Sequence, residues 1–214
     1  MSTPRIKLLL VDDHAILRSG LKRLLGEMAE VSEIGEAANA AEMLDRVRDA
    51  HWDVIVLDLE MPGPSPLEAL KRIKSDHPDT AVLILSMYAE ERFALRALKA
   101  GAAGYMNKQS APQQLTTAIR LIAEGGTYIS AGLAATLARG LNARPADTVN
   151  ELLSDREFAV LRGIATGKQV AEIAREMNLS AKTVSTYRTR LLTKLGLHSN
   201  VELARYASEN SLVK

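Results

Sequence analysis

Two adjacent acids that end an apolar run are the first residues of this chain that point to chemistry. The run "IKLLLV" is long enough for a buried strand, and Asp12 and Asp13 follow it directly. Neighbouring carboxylates repel each other, and partial burial at a strand end strengthens the repulsion. A bound cation would offset this repulsion, whereas two solvated residues in a turn would need no cation. These residues alone leave both interpretations open.

Three more polar residues follow apolar runs farther along the chain. Asp58 ends "DVIVLD", Ser86 ends "AVLILS" and Lys108 comes just after "GYM". Each has a simple structural interpretation: a turn cap, a backbone hydrogen-bond partner or a solvated charge. Their recurrence at successive strand ends instead favours one shared site. His14, with no other histidine nearby in the sequence, is predicted to be a helix-start residue rather than a metal ligand.

The chemistry that suits such a site is phosphoryl transfer with a divalent cation. Carboxylate oxygens are ligands that Mg²⁺ prefers, and a carboxylate can act as a nucleophile that forms an aspartyl-phosphate. Asp58 is the candidate acceptor, because it stands alone between its strand and the loop "LEMPGPSP".

The elements that must position these residues are short apolar runs that alternate with longer amphipathic segments over the first 125 residues. Five strands alternating with five helices predict an α/β fold, in which helices cover both faces of a doubly wound parallel sheet. Ligands bind at the carboxyl ends of the strands in such a sheet, so the polar residues would meet at one edge. Strands are predicted at 6–11, 31–37, 53–58, 81–86 and 104–106, and helices near 14–27, 39–50, 66–75, 90–100 and 112–124.

The pattern changes after residue 125. Residues 131–141 are compatible with a helix, and "NARPADTVN" is typical of a linker. From residue 152 onward the chain is predicted to be helical, with helices near 155–166, 169–177, 180–195 and 200–209. The predicted organisation is a domain at 1–125, a linker at 126–149 that contains the candidate helix at 131–141, and an all-α four-helix domain at 150–214.

Composition and charge limit the classes of protein. The 214 residues include no cysteine, which excludes disulfides and thiolate metal sites. No apolar run approaches the ~20 residues of a membrane span, so we expect a cytoplasmic protein with no membrane partner. The net charge is only +1, but the segment 180–195 contains no acid and four bases, Lys182, Arg188, Arg190 and Lys194. Such a local excess of positive charge suits a face that binds an anionic partner.

The predicted helix at 180–195 combines an apolar stripe with a polar face. Positions spaced i, i+3, i+4 and i+7 form the polar face: Lys182, Ser185, Thr186 and Thr189. A short hydroxylated face with basic edges suits a helix that enters the major groove of DNA. Arg188 and Arg190 flank it within reach of phosphates or guanine edges. A solvated basic face on a small bundle explains the same periodicity, so the pattern alone does not decide.

Four motifs in residues 5–124 resemble the receiver domain of two-component response regulators: "VDDH", "VIVLDLEMPG", "LILSMY" and "KAGAAGYMNK". Their order and spacing match that family across the whole segment. The resemblance implies a flavodoxin-like receiver that binds Mg²⁺ and accepts a phosphoryl group from a sensor histidine kinase. It implies that Asp58 is the phosphoacceptor and that Ser86 and Lys108 contact the phosphoryl oxygens.

The resemblance also implies metal ligands and a switch residue. Asp13 would bind Mg²⁺ directly and Asp12 through water, while Tyr105 would turn inward when Ser86 moves. The full set of implied metal ligands is Asp12, Asp13, Asp58 and the backbone carbonyl of Glu60. The side chain of Glu60 adds a further acid at the mouth of the site, and we hypothesise that it alters the rate of phosphorylation or dephosphorylation.

The segment at about 150–210, with "EIA", "KTVS" and "KLGL", resembles the LuxR-type helix-turn-helix of NarL/FixJ-class regulators. The stretch "KTVSTYRTRLL" resembles the branch that includes BvgA-like and GacA-like global regulators. Asn200 stands where that family commonly has arginine. The resemblance implies base contacts from Ser185, Thr186 and Thr189, and contacts to the DNA backbone from Lys182, Thr183, Arg188 and Arg190.

The leading interpretation is a transcription regulator whose phosphorylation controls homodimerisation and sequence-specific binding to double-stranded DNA, with RNA polymerase as a further partner. It would not be an enzyme, beyond catalysing its own phosphorylation and dephosphorylation. One alternative is a receiver-like regulator that binds DNA without phosphorylation. The other is an aspartyl-phosphate phosphatase of the haloacid-dehalogenase type. That family needs an Asp-x-Asp motif after the first strand, whereas the lone acceptor here follows the third.

Overall fold

Strands and helices alternate through the first part of the chain in the computed structural model. The structure describes residues 5–61, 63, 65–87, 90–110, 112–130, 132–134, 153–210 and 212–213, without the side chains of 90–93. The strands are β1 (Ile6–Val11), β2 (Val31–Ala37), β3 (Val54–Asp58), β4 (Ala81–Ser86) and β5 (Gly104–Asn107). The helices between and after them are α1 (Ala15–Gly26), α2 (Ala40–Asp49), α3 (Pro66–Asp76), α4 (Glu90–Lys99) and α5 (Pro112–Ala123).

The five strands form one parallel sheet in the order β2–β1–β3–β4–β5. This is the flavodoxin-like order, in which the direction of winding reverses beside β1 and leaves a crevice at the carboxyl ends of β1 and β3. The register places Val11 opposite Leu57 and Asp58 opposite Leu85. The predicted α/β fold is therefore confirmed, and the ends of β1, β3 and β4 lie side by side.

Burial on both faces explains why these strands are nearly continuous apolar runs. All five residues of β3 are buried, and so are five of the six residues in each of β1 and β4. One face packs against α5, where Leu115 and Ile119 join Leu8, Val56 and Leu83 in a single core cluster. A strand with both faces covered holds its last residue rigidly, so the polar residue that follows it has a fixed position.

The described residues of the second part, 153–210 and 212–213, form four helices: α6 (Asp155–Ala165), α7 (Val170–Glu176), α8 (Ala181–Leu195) and α9 (Asn200–Glu209). Ser154 and Glu157 form a capping box at the start of α6. Asn178 has a φ of 52° in the turn between α7 and α8, a conformation that asparagine tolerates better than most residues. The helix-turn-helix order agrees with the predicted all-α domain.

The chain separates into two compact units that divide between residues 143 and 144, apart from the short segment 63–65. The finer limits of 1–125, 126–149 and 150–214 stay a prediction. Most of the helix predicted at 131–141 lies outside the described residues, although 132–134 are helical. Among the described residues, no helix is both long and apolar enough to cross a membrane.

Candidate functional site

The acids predicted to share a site lie together at the carboxyl edge of the sheet. Asp12 follows β1 and Asp58 ends β3, and only 3% and 1% of their surfaces are exposed. Lys108, which follows β5, reaches both: its Nζ lies 2.7 Å from Asp12 Oδ2 and 2.8 Å from Asp58 Oδ2. One buried ammonium group therefore bridges two buried carboxylates, and it offsets part of the repulsion between them.

Burial and hydrogen bonding shift the pKa values of Asp58 and Lys108. Burial raises the pKa of the Asp58 carboxyl, and it outweighs the hydrogen bonds from Lys108 and from the backbone N–H of Glu60. Burial alone would lower the pKa of Lys108, but its hydrogen bonds to Asp12 and Asp58 outweigh that effect and raise it. Lys108 is therefore held in its charged form, and the two carboxylates, when ionised, leave one negative charge in excess at this edge.

Asp13 and His14 complete a cluster of ligand atoms around this charge. One ligand atom from each of Asp12, Asp13, His14 and Asp58 lies within 4.8 Å of the others. His14 precedes α1 at the N-cap position, as predicted, and its Nδ1 lies 3.1 Å from Asp12 Oδ1 and 2.9 Å from Asp13 Oδ1. Three carboxylates supply the hard oxygen donors that Mg²⁺ requires, so the residues present fit such an ion.

Glu60 reaches farther into the site than the sequence indicated. Its backbone N–H donates to Asp58 Oδ1 at 3.0 Å. Its side-chain Oε1 accepts hydrogen bonds from the backbone N–H of Met87 at 3.2 Å and from Ser86 Oγ at 3.4 Å. The Glu60 carboxylate thus occupies two donors at the end of β4, beside the acid triad.

Ser86 at the end of β4 and Tyr105 in β5, the two predicted switch residues, are both buried. Neither has any exposed surface, and the backbone N–H of Lys108 donates to the Ser86 carbonyl at 2.8 Å. Tyr105 therefore already has the inward position that the resemblance associates with a moved Ser86. The predicted movement itself stays a prediction. No peptide bond of the described residues is cis, so the bond after Lys108 is trans.

Arg18 supports the acid pair, a contact that sequence reasoning missed. Its Nη1 donates to the backbone carbonyl of Asp12 at 2.6 Å, and its Nε donates to Glu36 Oε2 at 3.0 Å. Lys22 also bonds Glu36, and the two cations lower the pKa of that carboxyl. The only signal in the sequence for these contacts is the spacing of Arg18 and Lys22, which places both on one face of α1.

The predicted DNA-binding face lies on α8. Its apolar stripe is buried, with Val184 and Leu191 fully covered. Thr186 and Thr189 donate their hydroxyls to backbone carbonyls one turn earlier, at 3.0 and 3.1 Å. The exposed residues of α8 include five of the seven predicted DNA contacts: Lys182, Ser185, Thr186, Thr189 and Arg190.

The remaining basic and polar residues of this segment have partners within the unit. The Thr183 hydroxyl lies 2.8 Å from Ser180 Oγ, and Arg188 Nε donates to Asn200 Oδ1 at 2.5 Å. Lys194 bonds the buried carboxylate of Glu157 at 2.7 Å. Lys194 thus stabilises the packing of α8 on α6, although the sequence analysis listed it among the bases that could bind an anionic partner.

Comparison with known proteins matches both parts of the chain. Residues 8–120 match the family described as "Response regulator receiver domain", and residues 151–207 match "Bacterial regulatory proteins, luxR family". The chain is 35% identical over 208 residues to response regulator UvrY of Escherichia coli K12, covering 97% of this chain and 95% of that protein. It is 37% identical over 209 residues to response regulator GacA of Pseudomonas syringae pv. syringae, covering 97% and 98%.

A solved structure supports the same assignment. RcsB from Salmonella enterica serovar Typhimurium, bound to promoter rprA in the presence of the phosphomimetic BeF3-, superimposes with a TM-score of 0.70 at 26% identity, covering 95% of this chain and 99% of RcsB. A receiver domain followed by a LuxR-type DNA-binding domain defines a class of transcription regulators. The chain belongs to the NarL/FixJ family of two-component response regulators, and the predicted resemblance is confirmed.

Proposed function

We propose that this response regulator is switched by phosphorylation of Asp58. The observation that carries the proposal is the Lys108 ammonium between two buried carboxylates, at the sheet edge where a second cation can bind. Burial limits the solvation of the Asp58 carboxylate and raises its pKa, and a carboxylate can act as the nucleophile that forms an aspartyl-phosphate. A sensor histidine kinase, the partner that a receiver domain implies, would supply the phosphoryl group.

In the proposed transfer, an Asp58 carboxylate oxygen attacks the phosphorus of a phosphohistidine on the kinase. A phosphorus–oxygen bond forms, the phosphorus–nitrogen bond breaks, and the released imidazole nitrogen takes up a proton. Lys108 and Ser86 would donate hydrogen bonds to the phosphoryl oxygens. Mg²⁺, when bound by Asp12, Asp13, Asp58 and the carbonyl of Glu60, offsets the negative charge that gathers at the acceptor.

The phosphoryl group would add about −1.5 to −2 charges at this edge. Ser86 would respond first, because its hydroxyl bonds Glu60 beside the acceptor, and Tyr105 would follow. The surface around β5 would then favour a homodimer. A dimer presents two α8 helices to a two-fold symmetric DNA site. The proposed contacts are base edges for Ser185, Thr186 and Thr189 and phosphates for Lys182, Thr183, Arg188 and Arg190, with RNA polymerase as a further partner. The similar protein RcsB, bound to a promoter in the presence of a phosphomimetic, supports a link between the phosphorylated state and DNA binding.

The experiment that tests the proposal combines intact mass with oligomeric size. The chain is incubated with Mg²⁺ and acetyl phosphate or phosphoramidate, beside Asp58→Asn and the matched control Asp53→Asn. Asp53 precedes the same strand at its opposite end, where its Oδ2 accepts from the backbone N–H of Lys7.

We expect a phosphoryl adduct and a shift toward dimer in the wild type and in Asp53→Asn. Asp58→Asn should show neither the adduct nor the shift. An adduct on Asp58→Asn would place the acceptor elsewhere. The absence of any adduct would leave a DNA-binding protein whose receiver responds to another signal.

A further inference from the structure

The turn between α8 and α9 holds the first residue of α9 in a defined place. Gly196 ends α8 with a left-handed φ of 64°. The backbone N–H of His198 donates to Glu202 Oε2 at 2.8 Å, and the backbone N–H of Glu202 donates to Ser199 Oγ at 3.2 Å. These hydrogen bonds fix the turn on both sides, so Asn200 is presented from a rigid support.

Asn200 uses this position to bond an arginine of the recognition helix. Its Oδ1 accepts from Arg188 Nε at 2.5 Å, across the twelve residues that separate them. The guanidinium group has five N–H donors in a fixed planar fork, and this bond uses only the one on Nε. The four donors on the two terminal nitrogens therefore have a direction set by Asn200.

A neutral partner distinguishes Arg188 from other cations in the same unit. Lys194 pairs with the Glu157 carboxylate at 2.7 Å, and Lys168 pairs with Glu176 at 2.7 Å. The carboxylate beside each lysine cancels most of the electrostatic potential that its charge would produce at a distance. The amide of Asn200 orients Arg188 without neutralising its charge, and this combination suits a group that must bind phosphate.

We propose that Asn200 is a positioning residue for DNA binding, which holds the Arg188 guanidinium so that its terminal nitrogens meet a backbone phosphate. The proposal rests on the proposed DNA contacts of α8. The bond needs an acceptor at position 200. A side chain without one, such as arginine, could not make it.

A double-mutant cycle tests whether Asn200 acts through Arg188. The probes are a duplex that the phosphorylated wild-type chain selects from a random-sequence library and an unrelated duplex of equal length. Asn200→Ala should weaken binding about threefold to tenfold, because Arg188 must then be ordered when DNA binds. The same substitution should have no effect in an Arg188→Gln background, and it should keep its full effect in an Arg190→Gln background.

Salt dependence separates positioning from a structural role. The slope of log K against log salt concentration is negative, and Arg188→Gln should reduce its magnitude by about 0.9 for each protomer bound. Asn200→Asp should lower it by a similar amount, because the new carboxylate neutralises Arg188 while keeping the acceptor. Arg72→Gln, which removes an equal charge from an exposed pair with Asp76 in the other unit, should leave the slope unchanged.

Three results would overturn the proposal. The first is an equal loss from Asn200→Ala with and without Arg188. The second is an unchanged affinity of Asn200→Ala in the wild-type background. The third is a lower melting temperature of Asn200→Ala that accounts for its lost binding. Binding that occurs without phosphorylation would contradict the proposed switch and leave this test intact, whereas a phosphorylated wild type that selects no duplex from the library would refute both.

Discussion

The carboxylate of Glu60 accepts hydrogen bonds from the donors that an oxygen of a phosphorylated Asp58 would need. Its Oε1 is 3.4 Å from Ser86 Oγ and 3.2 Å from the backbone nitrogen of Met87. A phosphoryl oxygen that accepts from Ser86 would lie about 2.7 Å from Oγ. The two anionic groups would then be within about 6 Å of each other, and Glu60 would have to give up its hydrogen bonds.

The distance sets the size of the effect. Two unit charges 6 Å apart repel by about 0.7 kcal/mol in bulk water and about 3 kcal/mol at an effective dielectric constant of 20. Glu60 is partly exposed, so we expect a value near the lower end, about 1 kcal/mol, or a factor of about five in rate. Glu60→Gln keeps the shape of the side chain and removes its charge. It should therefore be phosphorylated about five times faster by acetyl phosphate at saturating Mg²⁺.

Intact mass against time gives the rate directly. Glu33→Gln is the matched control, because Glu33 is an exposed acid of β2 that pairs with Lys7 at 2.9 Å. It changes the net charge equally and should leave the rate unchanged. Rates that are unchanged in both Glu60→Gln and Glu60→Asn would refute the reasoning, and a slower rate would show that the carboxylate assists the reaction.

Three further substitutions test the packing and charge around these sites. Lys108→Met removes the cation beside the buried Asp58, so it should lower the free energy of unfolding by about 3–5 kcal/mol at alkaline pH. The loss should shrink as the pH falls toward the raised pKa of Asp58, where the carboxyl takes up a proton. Urea unfolding followed by Trp52 fluorescence at several pH values measures the loss and its pH dependence. A loss independent of pH would contradict the pairing of Lys108 with an ionised Asp58. Gly35→Ala would press a Cβ against the ring of Trp52, so it should lower the free energy of unfolding by about 1–3 kcal/mol and shift the fluorescence emission of Trp52. An unshifted spectrum would mean that the ring has room. Glu157→Gln weakens the buried partner of α8 and should cost about 1–3 kcal/mol in the helical unit, seen as an earlier melting step by circular dichroism.

The strands and the edge of the sheet could be predicted because polar residues follow directly at the ends of the buried apolar runs. Asp12, Asp58 and Ser86 were placed by periodicity alone, since a strand buried on both faces must be apolar up to its last residue. The bridge made by Lys108 could not be predicted this way. Its Nζ reaches Asp12 and Asp58 from a turn beyond β5, and the path of a turn depends on packing rather than on residue period.

The same limit applies to charge. Counting bases in residues 180–195 treats Lys194 and Arg188 alike, but their partners lie 37 and 12 residues away in the chain. Lys194 meets a carboxylate that is 3% exposed, and its charge stabilises the contact between α6 and α8. Arg188 meets an amide and keeps its charge for another anion. The number of phosphates that α8 can neutralise, and hence its salt slope, depends on these partners and not on the count of bases.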